Sequence, residues 1–207
     1  MPLARWLSFL VAAILISISP GPGAFACMAS GAAYGWRRGY WTAIGLQGGL
    51  LFLLAIAGGG LGALLAVSPV AFTVVKFAGA AYLAYLGIQL WLVRPQPETA
   101  VAATARAKTR RQFLLEGFVV NATNPKAAVF ILAILPPFID VNRPRFPQYA
   151  TIAVTMMCVD AVVMGVYTAL GAQLLRAMNK PANQRRLNRG FGTVLIAAGA
   201  WVAWRGQ

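Results

Sequence analysis

The chain has 207 residues, of which 59% are hydrophobic and only 11% charged, far below the roughly 25% of a soluble domain. Its net charge of +14 would point to nucleic acid in a soluble protein. Here, however, the apolar residues gather in runs near or beyond the roughly 20 needed to cross a bilayer, which excludes a soluble domain and makes topology and anionic lipid the meaning of the charge. Six runs are expected to span the membrane: residues 6–29, 40–66, 69–93, 113–139, 148–175 and 190–206.

The first run is interrupted by Ser19-Pro20-Gly21-Pro22-Gly23. A proline inside a helix removes one N–H and frees the carbonyl four residues earlier, here those of Ile16 and Ile18. Ser19 is a good N-cap before Pro20, the favoured residue type at a first helical position, so a restarted helix is expected there. A secretory signal peptide is the alternative, with Arg5 ahead of the apolar run and Ala24-Phe25-Ala26-Cys27 as its processing site. Pro-Gly-Pro-Gly just before such a cut is unusual, and the run is kept as a span. In the second run, Gly45-Leu46-Gln47-Gly48-Gly49 and Gly58-Gly59-Gly60-Leu61-Gly62 suit close helix packing in lipid. The third run carries Lys76, near enough to one end to snorkel, and Tyr82, Tyr85 and Gln89, which join Gln47 and Tyr167 as candidate polar lining. Residues 94–112, with Pro95, Pro97, Glu98 and a basic cluster, read as a linker.

The fourth run is interrupted by Asn124-Pro125-Lys126, again an N-cap residue before a proline, with the carbonyl of Asn121 freed. Asn121-Ala122-Thr123 fits a glycosylation sequon but lies within a span. Glu116, near the start of this run, is expected to form a surface pair with Arg110 or Arg111. Asp160 stands about 12 residues into the fifth run, close to the bilayer centre, where a carboxylate is costly and marks function by default. It can bind an ammonium group, carry a coupling proton, or alternate between the two; a structural ion pair with Lys126 is the alternative. Lys126, directly after the second break, is expected to help hold a substrate carboxylate or to neutralise Asp160 between transport events. Cys27 and Cys158 fall in different runs, form no metal-ligand pattern, and read as buried small apolar residues. No histidine is present, and neither a metal nor a cofactor is expected.

A shift of 105 residues lays Pro20 on Pro125 and Phe25 on Phe130, and a shift of 113 lays Lys76, Gly79 and Trp91 on Arg189, Gly192 and Trp204. These echoes suggest an all-α membrane protein of six transmembrane helices in two inverted three-helix repeats, 1–93 and 113–207, with helices 1 and 4 broken at the proline motifs. An odd number of spans per repeat places the copies in opposite orientations. Both breaks sit 12–14 residues into their runs, about 18–21 Å at 1.5 Å per residue and so near the middle of a core about 30 Å thick. Matched interruptions in two repeats are a sequence pointer to a transporter's binding site, and two helix N-termini there suit an anionic group such as a carboxylate. Two ordinary proline kinks are the alternative. The connections between spans 1–2, 3–4 and 5–6 carry twelve basic residues, against four in the other connections and tails. This bias places the odd-numbered connections in the cytoplasm and both termini outside. Trp6, Trp36, Trp41, Trp91, Trp201 and Trp204 cluster at span ends, as interfacial anchors do.

Ile18-Ser19-Pro20-Gly21-Pro22 resembles the signature of the LysE/RhtB amino-acid exporters, and Gly31 to Gly45, with its Arg37-Arg38-Gly39 turn, is similar to the segment that follows in that family. Gly117 to Ala128, with the run through Leu135-Pro136, resembles the family's second signature. Asp160 and Tyr167 fall where many members carry an Asp and a Tyr. The resemblance covers nearly the whole chain. It implies an exporter of amino acids or close derivatives in a bacterial inner membrane, driven by the proton gradient. One departure is Gly23, where many members have a polar residue.

Together these readings make Ser19, Pro20, Gly21, Pro22, Gly23, Asn121, Asn124, Pro125, Lys126 and Asp160 the candidate substrate site, with Asp160 also the proton-coupling residue. The expected partners are an amino-acid substrate, protons and membrane lipid. A homodimer is compatible with so small a transporter, though no residue pattern argues for one. A metal-ion or other small-ion exporter or channel on the same architecture is the rival reading. The lack of histidine and the single central carboxylate argue against a site for a soft divalent metal.

Overall fold

The computed structural model describes residues 1–67, 69–92, 108–135, 138–140, 143–178 and 181–204, and among them there is helix and no strand. Most of the expected linker, including Arg94, Pro95, Pro97, Glu98 and Arg106, lies outside the described residues, as do Pro136 and Lys180 and the side chain of Lys76. The helices are α1 (Leu3–Ile18), α2 (Pro22–Tyr34), α3 (Trp36–Val67), α4 (Pro69–Leu92), α5 (Arg110–Ala122), α6 (Pro125–Val129), α7 (Arg145–Ala169), α8 (Gly171–Met178) and α9 (Pro181–Trp204), with a π-helical stretch Phe130–Ile134 continuing α6.

Two stretches are long and apolar enough to cross a bilayer as single helices, Trp36–Gly59 within α3 and Arg145–Ala169. Leu3–Ile18 and Pro22–Tyr34 pass together as a third, bent by 55° at the break between them. The other three expected spans do not meet that criterion among the described residues. The second break divides α5 from α6. Arg185, Arg186 and Arg189 occupy the amino-terminal turns of α9, and Ala80–Leu92 is the apolar part described for α4.

Small residues set how closely the helices pack, as expected where lipid supplies no hydrophobic drive between them. A Cβ added at Gly45 would lie 2.3 Å from the Leu114 carbonyl oxygen, and one added at Gly117 would lie 2.2 Å from that of Thr42. With Gly49 against the Phe118 carbonyl, these contacts run α3 and α5 side by side in the same direction. Span one lies parallel to α7 in the same way. Trp6 Nε1 donates to Thr155 Oγ1 at 3.0 Å, Gly31 abuts the Thr168 carbonyl, and Gly171 abuts that of Met28. Helices α3 and α7 run antiparallel, since Tyr40 Oη donates to the Ala161 carbonyl at 3.2 Å and Gly58 meets the Tyr149 ring. Helices α4 and α9 are antiparallel as well, with Gly87 against Gly192 and Gly199 against Ala80.

Two apolar cores result. Phe9, Leu50, Leu54, Leu83, Phe130, Phe138 and Ile152 anchor one; Ala24, Cys27, Met28, Ala43, Leu46 and Met164 form the other. Cys27 is buried as expected, whereas Cys158 is exposed, because it lies on the side of α7 that faces away from both cores. Glu116 pairs with Lys108 at 2.6 Å rather than with Arg110 or Arg111. The capping box of Thr109 and Gln112 starts α5 so that Lys108 falls beside Glu116, while the Arg110 guanidinium lies over the Trp41 ring at 5.1 Å.

The α3–α5 contact should be intolerant of a single methyl group. Gly117→Ala is expected to destabilise the purified protein by about 1–3 kcal/mol through overpacking, read as a lowered thermal midpoint in detergent. Gly59→Ala, whose Cβ would meet nothing within 4 Å, should leave the midpoint unchanged or slightly raised.

Candidate functional site

At the first break, Ser19 and Gly21 each precede a proline, which disfavours helical backbone for both. Ser19 adopts φ −65° and ψ 116°, and its N–H closes α1 on the Leu15 carbonyl at 3.2 Å. Gly21 is extended, and α2 restarts with Pro22 in its first turn. The expected restart at Ser19-Pro20 is therefore displaced by two residues, and Ser19 ends α1 rather than capping α2. The second break follows the sequence expectation. Asn124 caps α6, its Oδ1 accepting from the Lys126 backbone N–H at 3.0 Å, with Pro125 in the first turn.

Every carbonyl the prolines free has a donor. Lys126 Nζ donates to the Ile16 carbonyl at 2.9 Å and also to that of Ser19. Tyr167 Oη donates to the Ile18 carbonyl at 2.5 Å. The Asn121 carbonyl accepts the Asn124 N–H at 3.1 Å, while its side chain donates from Nδ2 to the Leu46 carbonyl at 2.8 Å, tying the second break to α3.

Between the breaks lies a cavity of about 60 Å³. Of the residues singled out from sequence, Ser19, Gly21, Gly23, Asn121, Asn124, Lys126 and Asp160 line it; Pro20, Pro22 and Pro125 do not, and act by breaking the helices. Asp160 Oδ2 accepts from Gln47 Nε2 at 3.1 Å. The expected Lys126–Asp160 ion pair is not formed: among the described residues, the ion pairs are Arg5–Asp140, Lys108–Glu116 and Arg143–Asp140. Ser19 Oγ and Gln47 Oε1 are buried without a hydrogen-bond partner. Gly23 has its own tight neighbour, since a Cβ there would lie 3.2 Å from Leu46 Cδ2. Of the polar candidates, Gln47 and Tyr167 are engaged at the breaks. Gln89 instead donates to Tyr85 Oη at 2.7 Å on an exposed face of α4, with the tilted Tyr82 ring alongside.

The apolar lining was not singled out from sequence. Met156 and Met164 flank Asp160 at a spacing of four residues, as do Leu46 and Leu50 on α3, and this i, i+4 spacing around the carboxylate is the signal that points to them. Ser17, which lines the cavity and hydrogen-bonds Asp160, was missed because its position is set by where α1 ends. Among the described residues, no group of three His, Cys, Asp or Glu side chains suits a metal ion.

The sequence pattern described as LysE type translocator matches residues 14–206. The chain belongs to the LysE family. An "Uncharacterized membrane protein" of Vibrio cholerae is 38% identical to it over 98% of both chains. A "Homoserine/homoserine lactone efflux protein" of Salmonella typhi is 36% identical over 96% of this chain and 95% of the relative. A "Leucine efflux protein" of Klebsiella pneumoniae is 31% identical over 96% and 94%. No solved structure matches. The resemblance carried by the two proline motifs is thus borne out, and this LysE-family translocator is a membrane protein and not an enzyme.

Tyr167→Phe removes the one donor to Ile18 and leaves the ring in place. The orphaned carbonyl should cost about 1–3 kcal/mol, read as a lowered thermal midpoint. Tyr85→Phe, on its exposed face, should shift it by less than about 0.5 kcal/mol.

Proposed function

We propose that this LysE-family translocator is a secondary exporter that moves amino acids or close derivatives out of the bacterial cytoplasm across the inner membrane, driven by the proton gradient. The observation that carries the proposal is Asp160: it lines the cavity between the two breaks, is hydrogen-bonded by the side chains of Ser17 and Gln47, and forms no contact ion pair among the described residues, although the Lys126 ammonium lines the same cavity. A carboxylate so placed suits a substrate ammonium and a proton in alternation. Ser19 Oγ and the first turn of α2 supply neutral donors for the other end of a zwitterion. Gly21, Gly23, Asn121, Asn124 and Lys126 complete the polar wall, and Pro20, Pro22 and Pro125 create the breaks that open it. The names of the Salmonella and Klebsiella relatives support the substrate class.

The proposed frame is six spans in two inverted repeats, 1–93 and 113–207, joined by a cytoplasmic linker at 94–112, with both termini outside. The directions of packing support it. Spans one and five run parallel, as do spans two and four, and an exchange of the two halves interconverts these pairs. Spans two and five, and three and six, are antiparallel, as partners across a two-fold axis in the membrane plane must be. Rocking of one half against the other would then expose the cavity to each side in turn.

The experiment is efflux of a labelled amino-acid panel from proteoliposomes, with and without an imposed pH gradient. Wild type should move at least one amino acid faster with the gradient. Asp160→Asn should abolish the gradient's effect while the protein remains folded. Unchanged gradient-driven transport in the variant removes Asp160 from coupling, and ion flux without amino-acid flux returns the rival ion-exporter reading.

A further inference from the structure

Sequence chemistry offers the Lys126 ammonium two partners, a substrate carboxylate and Asp160; in the structure its contacts are instead with backbone carbonyls. Nζ donates to the carbonyls of Ile16, at 2.9 Å, and Ser19, which uses two of its three N–H donors. Both acceptors belong to the carboxy-terminal end of α1, where unpaired carbonyls concentrate the negative pole of the helix and a cation is favoured. The aliphatic stem passes close over Gly21 to reach them: a Cβ there would lie 3.3 Å from Lys126 Cδ and 3.5 Å from Nζ. Tyr167 Oη does the same for the intervening carbonyl of Ile18. Both donors therefore come from the second half of the chain, on α6 and α7, and both hold the last turn of α1.

We propose that Lys126 is a positioning residue that clasps the first break to the second half of the chain, and not the counter-charge for a substrate carboxylate. The inference rests on the exporter reading and deepens it. With two of the three Lys126 donors committed to α1, the charge chiefly presented to a substrate is that of Asp160, which reads an ammonium group. The carboxyl end meets the Ser19 hydroxyl and the amides of Gly23 and Ala24 in the first turn of α2, which have no carbonyl a turn earlier to bond. Such neutral donors serve a carboxylate, an amide or an ester alike. Removal of Lys126 then harms every substrate equally, because what is lost is the geometry of the break.

The test uses the full-length protein in proteoliposomes and an amino acid that wild type moves, paired with its carboxamide, at a pH below neutral where both amines are protonated. The N-acetyl derivative, which lacks the ammonium, is the control. Wild type should take acid and carboxamide with KM values within about threefold of each other and reject the N-acetyl compound, because only an ionic contact to the carboxylate separates the pair more widely. Lys126→Met should lower the maximal rate for both by the same factor, about tenfold or more. Lys126→Arg, which keeps charged donors for both carbonyls, should recover most of it. A wild-type preference for the acid of about tenfold or more, or a Lys126→Met variant that raises KM for the acid and spares the carboxamide, overturns the clasp. If Lys126→Met does not fold, the wild-type comparison decides alone. Movement of no amino acid in the panel overturns the exporter reading itself, whereas separation of acid from carboxamide overturns the clasp and leaves that reading standing.

Discussion

The constraint on which the rest depends is that a backbone carbonyl cannot stand unpaired in hydrocarbon. Pro20, Pro22 and Pro125 free three of them, at Ile16, Ile18 and Asn121, in the middle of what would otherwise be continuous spans. The Asn121 carbonyl is satisfied locally by the Asn124 N–H, within the turn that restarts the chain. The other two, with that of Ser19, are satisfied by Lys126 and Tyr167, more than a hundred residues away. This asymmetry distinguishes the first break from a simple proline kink. A kink needs only water or a neighbouring hydroxyl, whereas the 55° bend between α1 and α2 is held by two side chains of the opposite half.

Glycine packing brings those side chains within reach. Gly45 and Gly117 let α3 and α5 approach until a methyl group on either would strike the other's backbone. At that separation Asn121 Nδ2 reaches the Leu46 carbonyl, and Gln47, the next residue on α3, reaches Asp160 on α7. Gly31 and Gly171 do the same between span one and the α7–α8 region, where Tyr167 meets Ile18. The cavity persists because the two apolar cores close on either side of the breaks without filling the gap between them. Leu50, Phe130 and Met156 line it from one core, and Ala24, Leu46 and Met164 from the other.

Much of this was legible in the chain, because breaks and charges in an apolar background are strong signals. The two helix breaks, the Asn124 cap with Pro125 behind it, an Asp160 carboxylate within an apolar run and the family all follow from residues taken in order. The errors share a cause: they concern partners chosen in three dimensions. Ser19 has an N-cap side chain, yet the rule that the residue before a proline avoids helical backbone acts at both Ser19 and Gly21 and moves the restart to Pro22. Lys126 and Asp160 are opposite charges in one cavity, and charge alone suggests a pair. The carbonyls of Ile16 and Ser19 compete for the ammonium and hold it, while Asp160 takes an amide from Gln47. Glu116 goes to Lys108, since the Thr109 capping box decides where α5 begins. Cys158 is exposed because apolar sequence does not say which side of α7 faces lipid.

The distribution of acids completes the argument for function. The chain has four acidic residues against eighteen basic ones, so an acid is never short of a cation. Glu116 is paired with Lys108, and Asp140 lies against both Arg5 and Arg143. Asp160 alone among the described acids has neutral hydrogen-bond donors, Ser17 and Gln47, where the others have a cation in contact, although the Lys126 ammonium lines the same cavity. A purely structural carboxylate there would be expected to draw the ammonium into contact, since an isolated buried ion is the costlier arrangement. The structure instead commits the ammonium to the freed carbonyls and leaves the carboxylate facing the cavity. That division is what the proposed exporter needs, since its site must take its cation from outside the protein.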